Sequence, residues 1–261
     1  MTHLTAISFR IAYLIAASII TYALFNSFAW HGRASWVLIG IGFMLPALLL
    51  QVLAQEAPFI IIILTNIKWI TAGAAPIIDL VMSIVKLRIY AMAIYMGFMA
   101  GVFQEVFKYL AVKGREPRSA LYIGYGFALI DIAFTTINLI APLIVPALIS
   151  AHYQYAAIVP IISLVGLAIQ PIASFLFHPG SSMMLKAYQM ANRGLRGLLL
   201  MILAHAYLDS FTWYMNNAIA LGLIYTPLII PLSTIYFTTI AALSIAIFTI
   251  GLRDIEGKRN I

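Results

Sequence analysis

The chain lacks cysteine altogether and is poor in charged residues. Without cysteine it has no disulfide, no thiolate ligand for a metal and no cysteine nucleophile. Charged residues make up 9% of its 261 positions, and hydrophobic residues make up 64%. That leaves too little polar surface to cover a water-soluble globule of this size. Lipid must therefore be the solvent for most of the chain.

Apolar stretches recur along the whole chain, each of about 20 residues, which is the length that a helix needs to cross a hydrocarbon core of about 30 Å. They predict an all-α, polytopic transmembrane bundle that forms a single integral membrane domain over residues 1–261. The third stretch contains Lys68, Gly73, Pro76 and Asp79, so it is either a span or a broken, interfacial segment. If it is a broken segment, seven spans remain. The eight predicted spans are 9–30, 36–54, 59–82, 87–112, 119–144, 154–177, 197–218 and 225–250.

Basic residues predict the orientation of the bundle. They cluster in three segments, each separated from the next by two predicted spans, so all three lie on one side of the membrane. The positive-inside rule makes that side, including the C-terminus, cytoplasmic, and the cell (plasma) membrane is the expected location. We expect the basic residues that give the net charge of +7 to face anionic membrane lipids. We expect no nucleic-acid partner, because the sequence has no basic face apart from these segments. The clusters are Lys113, Arg115 and Arg118; Lys186, Arg193 and Arg196; and Arg253, Lys258 and Arg259.

Five ionisable residues lie inside the predicted spans of the second half, where each costs about 2.5 to 3.5 kcal/mol on insertion scales. At 1.5 Å per residue, Glu105 and His205 lie about 12 to 14 Å from the basic ends of their spans. Asp131 and Asp209 lie about 19 to 20 Å from the same face. Lys108 is three residues after Glu105, and Asp209 is four residues after His205, so each pair shares one helix face. The matched depths predict one polar cluster.

Structural roles are the alternative for each residue taken alone. Glu105 and Lys108 would form a buried ion pair, Asp131 would hydrogen-bond to Thr135 or between helices, and His205 would be a core histidine. Gly124 and Gly126 are expected to let a neighbouring helix approach closely. The other histidines are expected near span ends or in loops, in contact with water: His3, His31, His152 and His178.

At these positions the chain resembles the PrsW and YhfC branch of the CAAX-processing and bacteriocin-processing (CPBP) intramembrane protease superfamily. The family typically has two adjacent Glu and a basic residue three positions later, where the run GVFQEVFKYLAVKG supplies Gln104, Glu105 and Lys108. The next span has a Gly, Phe and Ala before an acidic residue, and GYGFALID ends in Asp131. A later span begins after an Arg and has a histidine with a polar residue four positions on, and RGLRGLLLMILAHAYLD supplies His205 and Asp209.

The resemblance implies an intramembrane protease with a family-like core at about residues 87–218. Its substrate would be a hydrophobic peptide or protein embedded in the membrane. Two mechanisms stay open: either Zn²⁺ or another divalent metal held by Glu105, Asp131 and His205, or a glutamic-type hydrolysis with Glu105 as the base. The resemblance gives Asp209 the role of orienting the histidine.

Two departures from the family pattern weaken the catalytic interpretation. Gln104 replaces the first Glu, and an amide neither takes a proton nor lends negative charge. Asp131 replaces a Glu, and its side chain is one methylene shorter. The resemblance gives Lys108 the role of balancing charge or stabilising an oxyanion. Two alternatives therefore stand, a non-catalytic homologue acting as a binding or assembly subunit and a proton-coupled transporter. Prolines able to break helices fit the transporter: Pro142, Pro146, Pro160, Pro171, Pro227 and Pro231.

Overall fold

The computed structural model of the protein describes residues 3–28, 34–66, 74–144 and 159–257. Within these ranges the chain forms helices joined by short turns, and no strand occurs in them. The predicted all-α fold is therefore confirmed. The helices are α1 (His3–Phe28), α2 (Ala34–Thr65), α3 (Ala74–Leu87), α4 (Ile89–Val112), α5 (Ser119–Ile144), α6 (Val159–Met190), α7 (Gly194–Ala220) and α8 (Thr226–Gly257).

Five of the described helices have the length and composition of membrane spans. Their outer faces carry large apolar side chains such as Leu38, Leu49, Ile94 and Leu203, each more than 60% exposed. Such a surface is stable in lipid and costly in water, so the protein is an integral membrane protein. Five described segments are long and apolar enough to cross a membrane: Ala34–Thr65, Ile89–Val112, Ser119–Ile137, Gly194–Ile219 and Pro227–Gly257.

Helix α2 is longer than its predicted span. The predicted span ends at residue 54, but the helix continues through Gln55, Glu56 and Pro58 to Thr65. The prediction is wrong because the polarity is satisfied by a neighbouring helix: the amide of Gln55 donates to the carbonyl of Met96 on α4, 2.7 Å away. The third predicted span, 59–82, thus divides between the end of α2 and α3, and Lys68 and Gly73 lie outside the described residues.

Helix α6 lies at the centre of the bundle and packs against α1, α5, α7 and α8. The sequence ends this span at residue 177, before a His-Pro-Gly run, but the helix passes through both Pro171 and Pro179 and extends to Met190. Prolines are tolerated in membrane helices because neighbouring groups satisfy the freed carbonyls. The proline at 231 likewise lies inside α8. Outside the described residues lie His31, Pro146 and His152, and the side chains of His3, Pro76, Asp79, Pro142 and Pro160 are not described either.

Glycines bring α5 close to its neighbours. A methyl group added at Gly124 would overlap the backbone of Pro179 on α6, and one added at Gly126 would overlap the backbone of Val37 on α2. The packing role predicted for both glycines is confirmed. On the other side α4 packs most extensively against α7. Together these contacts enclose a space between α4, α5, α6 and α7, which holds the candidate site.

Candidate functional site

The centre of the site is an ion pair on α4. Glu105 and Lys108 are one helical turn apart, and Nζ of Lys108 donates to Oε1 of Glu105 at 2.6 Å. Both side chains are fully buried in the bundle. A charged pair in such surroundings is stable only when further hydrogen bonds satisfy both ions. The predicted pairing along α4 is confirmed, and the remaining direct partners of the ion pair come from two other helices.

Helix α7 supplies the first partner. Nδ1 of His205 lies 2.7 Å from Oε1 of Glu105, and its other ring nitrogen, Nε2, lies 3.6 Å from Oδ2 of Asp209. Because a carboxylate only accepts hydrogen bonds, Nδ1 of His205 donates whenever Glu105 is ionised. The side chain of Asp209 is 38% exposed. The predicted convergence of α4 and α7 is therefore found.

Helix α6 supplies a residue that the sequence interpretation missed. His178 is buried, and its Nδ1 lies 3.1 Å from Nζ of Lys108. Ser181, one turn further along, accepts a hydrogen bond of 2.7 Å from the same ammonium group. His178 was expected at a span end in contact with water, and that expectation is wrong because α6 continues through Pro179.

A sequence signal for His178 exists in the spacing of polar residues along α6. Gln170, Ser174, His178 and Ser181 follow one another at intervals of four, four and three residues inside an otherwise apolar stretch. This spacing places all four on one helix face. Pro179 hides this signal, because the interior of a helix in a soluble protein rarely tolerates proline.

Helix α5 contributes Asp131 through α6. Oδ2 of Asp131 accepts hydrogen bonds from Ser174 at 2.9 Å and from Gln170 at 3.3 Å. Nε2 of His178 lies 3.7 Å from the same oxygen, too far for a direct hydrogen bond but close enough for an electrostatic interaction. The side chain of Asp131 is 31% exposed. Asp131 therefore joins the cluster through His178, and Thr135 donates to its main-chain carbonyl at 3.1 Å.

The six ionisable side chains form one continuous line through the bundle. Two carboxylates, each about one third exposed, stand at the ends, and the buried ion pair stands in the middle. Acidic and basic groups alternate over most of the line, which lets each charge face an opposite or neutral partner. We call this line the charged cluster: Asp131, His178, Lys108, Glu105, His205 and Asp209.

Aromatic rings seal the middle of the charged cluster. The ammonium of Lys108 lies 5.3 Å from the ring centre of Phe127 and 5.4 Å from that of Phe177. The ring of Phe177 also meets His205 edge to face at 4.9 Å. Cation–π contacts stabilise the ammonium, and the two rings cover the Lys108 side of the ion pair. Low local polarity strengthens every charge interaction within the site.

Gln104 does not belong to the charged cluster by its described contacts. Its amide donates to Oε1 of Gln51 on α2 at 2.8 Å, and Gln51 in turn donates to Gln55 at 3.4 Å. We call Gln51, Gln55 and Gln104 the amide network. Although Gln104 and Glu105 are adjacent in sequence, they face different helices.

The described donor groups do not fit a metal site. No group of three or more His, Asp and Glu side chains within the described ranges is arranged to hold a metal ion. The three expected ligands are separated by another cation: Oε1 of Glu105 already binds Lys108 and His205, and Asp131 faces His178 instead. The Zn²⁺-dependent mechanism therefore gains no support from this geometry.

The arrangement is able to hold and move protons. Each histidine has one ring nitrogen toward the ion pair and the other toward a carboxylate, the relation that fixes a tautomer. Oε2 of Glu105 is buried and has no hydrogen-bond partner among the described residues, so one carboxylate oxygen is available for a proton.

Comparison of the chain with protein-family models, curated proteins and solved structures gives no match.

Proposed function

We propose that the protein is an intramembrane protease of the glutamic type, in which Glu105 is the general base that activates water. The observation that carries this proposal is the state of its carboxylate. Oε1 is held by Lys108 and His205, whereas Oε2 is buried and has no described partner. A buried oxygen of this kind is costly unless a polar group or water satisfies it. Water bound at Oε2 would be positioned for deprotonation.

The chemistry requires Glu105 to take and return one proton. A water molecule at Oε2 gives its proton to the carboxylate while its oxygen attacks the carbonyl carbon of the peptide bond. The carbon–nitrogen bond then breaks, and Glu105 passes the proton to the leaving nitrogen. The products are a carboxylic acid and an amine, and the carboxylate of Glu105 is regenerated.

The other members of the charged cluster support this role. Lys108 directs its three donors at Glu105, Ser181 and His178, so it balances the charge of the base and has no donor left for a substrate. Because Nδ1 of His178 accepts from Lys108, its Nε2 carries the proton. Its acceptor, Asp131, lies 3.7 Å away, so this N–H is available for a developing oxyanion.

The resemblance to PrsW and YhfC proteins agrees with the proposal. It assigns function to Glu105, Lys108, His205 and Asp209, and these residues converge although Glu105 and His205 are 100 positions apart in sequence. Gln104, the position that departs from the family pattern, lies in the amide network instead. The departure therefore does not remove a carboxylate from the charged cluster of this chain.

Cleavage of membrane peptides in labelled water tests the proposal. The protein in liposomes is incubated with a set of single-span peptides in water carrying a heavy oxygen isotope, and the products are weighed by mass spectrometry. We expect the isotope in each new carboxyl group. Glu105→Gln keeps the shape of the side chain but removes the base, so cleavage should slow by about 10²- to 10⁴-fold.

The matched control is Glu56→Gln, because Glu56 is an exposed carboxylate on α2, away from the charged cluster. It should cleave at the wild-type rate. Cleavage that survives Glu105→Gln would contradict the assignment of the base. No cleavage by the wild-type protein over the whole peptide set would favour the non-catalytic alternative.

A proton-coupled transporter is the second candidate, and one observation favours it. The charged cluster connects two partly exposed carboxylates, Asp131 and Asp209, through a series of ionisable side chains with gaps of 3.7 and 3.6 Å at its ends, an arrangement that a proton relay can use. A relay predicts proton flux into dye-loaded liposomes that is abolished by Asp131→Asn. The protease predicts peptide cleavage in the same liposomes with no flux.

A further inference from the structure

A second polar site lies at the end of the bundle, away from the charged cluster. It is a cleft of about 380 Å³ between the turn after α4 and the turn that joins α6 to α7. This volume lies within the range of small-molecule sites, which is about 300 to 1,000 Å³. The polar groups that line it are Tyr109, Lys113, Lys186, Gln189 and Asn192.

Lys186 is the buried cation of this cleft. It lies on the last turns of α6 and is only 7% exposed. Its described hydrogen bond is a long one, 3.4 Å to the carbonyl of Val112, and its ammonium pairs with no carboxylate among the described residues. A buried ammonium without a counter-ion is unfavourable, so an anion in the cleft would stabilise it.

Two turns give the cleft its shape. Gly114 and Asn192 both have positive φ angles, 71° and 56°, which reverse the chain at the ends of α4 and α6. Gln189 is committed to the wall, since it donates to the carbonyl of Tyr109 at 2.9 Å. It holds α6 to α4 beside the buried lysine. The cleft is thus built by side-chain and backbone contacts.

The start of α7 lies at the same cleft. Gly194, the first residue of α7, lies in its wall, and the preceding Arg193 makes no side-chain cap. The first N–H groups of a helix have no partner within the helix and favour an anion. Together with the buried Lys186 and with Lys113, they give the cleft three independent sources of positive potential.

We propose that this cleft binds the phosphate group of an anionic phospholipid headgroup. A phosphate accepts from the lysines and from the helix N-terminus at once. The lipid is the source of phosphate favoured by position, because α4, α6 and α7 are helices of the membrane bundle and the cleft lies where they end. The sequence predicts this end to be cytoplasmic, where anionic lipids are common. The proposal is independent of the chemistry of the charged cluster.

A titration of thermal stability tests it. The protein in neutral detergent is titrated with phosphatidylglycerol, with phosphatidylcholine and, separately, with inorganic phosphate. We expect phosphatidylglycerol to raise Tm in a saturable way and the other two to have little effect. Lys186→Met should weaken the apparent Kd for phosphatidylglycerol by about tenfold or more, because it removes a charge-assisted hydrogen bond.

Two further variants control the titration. Lys186→Arg keeps the cation and should retain binding, which separates loss of the ligand from failure to fold. Arg253→Gln removes an equal charge from α8, where the side chain is 77% exposed, and should bind like the wild type. An equal loss in Arg253→Gln, or unchanged binding in Lys186→Met, would overturn the site. Saturable protection by inorganic phosphate that depends on Lys186 would overturn the lipid assignment in favour of a soluble phosphate ligand.

Discussion

Two adjacent residues of α4, Gln104 and Glu105, belong to two different buried networks. Glu105 stands in the charged cluster with partners on α4 and α7, while Gln104 stands in the amide network with Gln51 on α2. Both residues are nearly inaccessible. What separates them is charge: the amide network holds two helices together, whereas the charged cluster connects four helices.

The difference shows what a charge requires inside a membrane protein. A buried amide needs only a few hydrogen bonds, and interhelical bonds in membranes contribute about 0.6 kcal/mol each on average. A buried ion needs opposite charge and further donors, and it is strongly destabilised when one partner is lost. The charged cluster is therefore expected to depend on each member, and the amide network is expected to tolerate change.

Lys108→Met should have the largest effect on stability. It leaves the carboxylate of Glu105 buried without its counter-ion, which costs about 3 to 5 kcal/mol. Unfolding in mixed micelles with increasing denaturing detergent measures the change in free energy.

The control for this variant removes both charges at once. Because the double variant Lys108→Met with Glu105→Leu leaves no unpaired ion at the centre, most of the stability should return. Activity should not return, since the base is absent. If Lys108→Met alone were as stable as the wild type, the ion pair would not be the centre of the site.

Ser181→Ala should have an intermediate effect. Ser181 accepts a hydrogen bond of 2.7 Å from the ammonium of Lys108, and a bond to a charged group contributes about 1.5 to 3 kcal/mol. Ser182 is the matched control, because it is also fully buried but its hydroxyl has no described hydrogen-bond partner. Ser182→Ala should leave the free energy of unfolding nearly unchanged. Equal losses in the two variants would indicate that packing, not the hydrogen bond, explains the result.

Residue patterns predicted the helical membrane fold and the contact between α4 and α7. The depths of Glu105 and His205, counted in residues from the basic loops, agree, and the two side chains meet at 2.7 Å. Depth is predictable because a helix rises by a constant amount per residue. The directions of two side chains about a helix axis are predictable only when both residues lie on the same helix, as Glu105 and Lys108 do.

The missed features depend on contacts between helices. The continuation of α6 past Pro179 places His178 at the centre of the site, and a local proline rule argues against it. The side of α4 that Gln104 faces is likewise decided by packing against α2, not by its neighbour Glu105. Both features depend on a neighbouring helix that satisfies the polar residue or the proline, and the local sequence does not show that neighbour.

Gln104→Leu should have the smallest effect and is the sharpest test of the separation between the two networks. It removes the hydrogen bond of 2.8 Å to Gln51, so we expect a loss of about 0.6 kcal/mol in the free energy of unfolding. Peptide cleavage should continue near the wild-type rate, because the charged cluster keeps all its members. A loss of cleavage as large as in Glu105→Gln, with the fold retained, would place Gln104 in the catalytic machinery and contradict the separation. Partial loss that follows stability across Gln104→Leu and Gln51→Leu would instead show that the amide network acts only by holding α2 against α4.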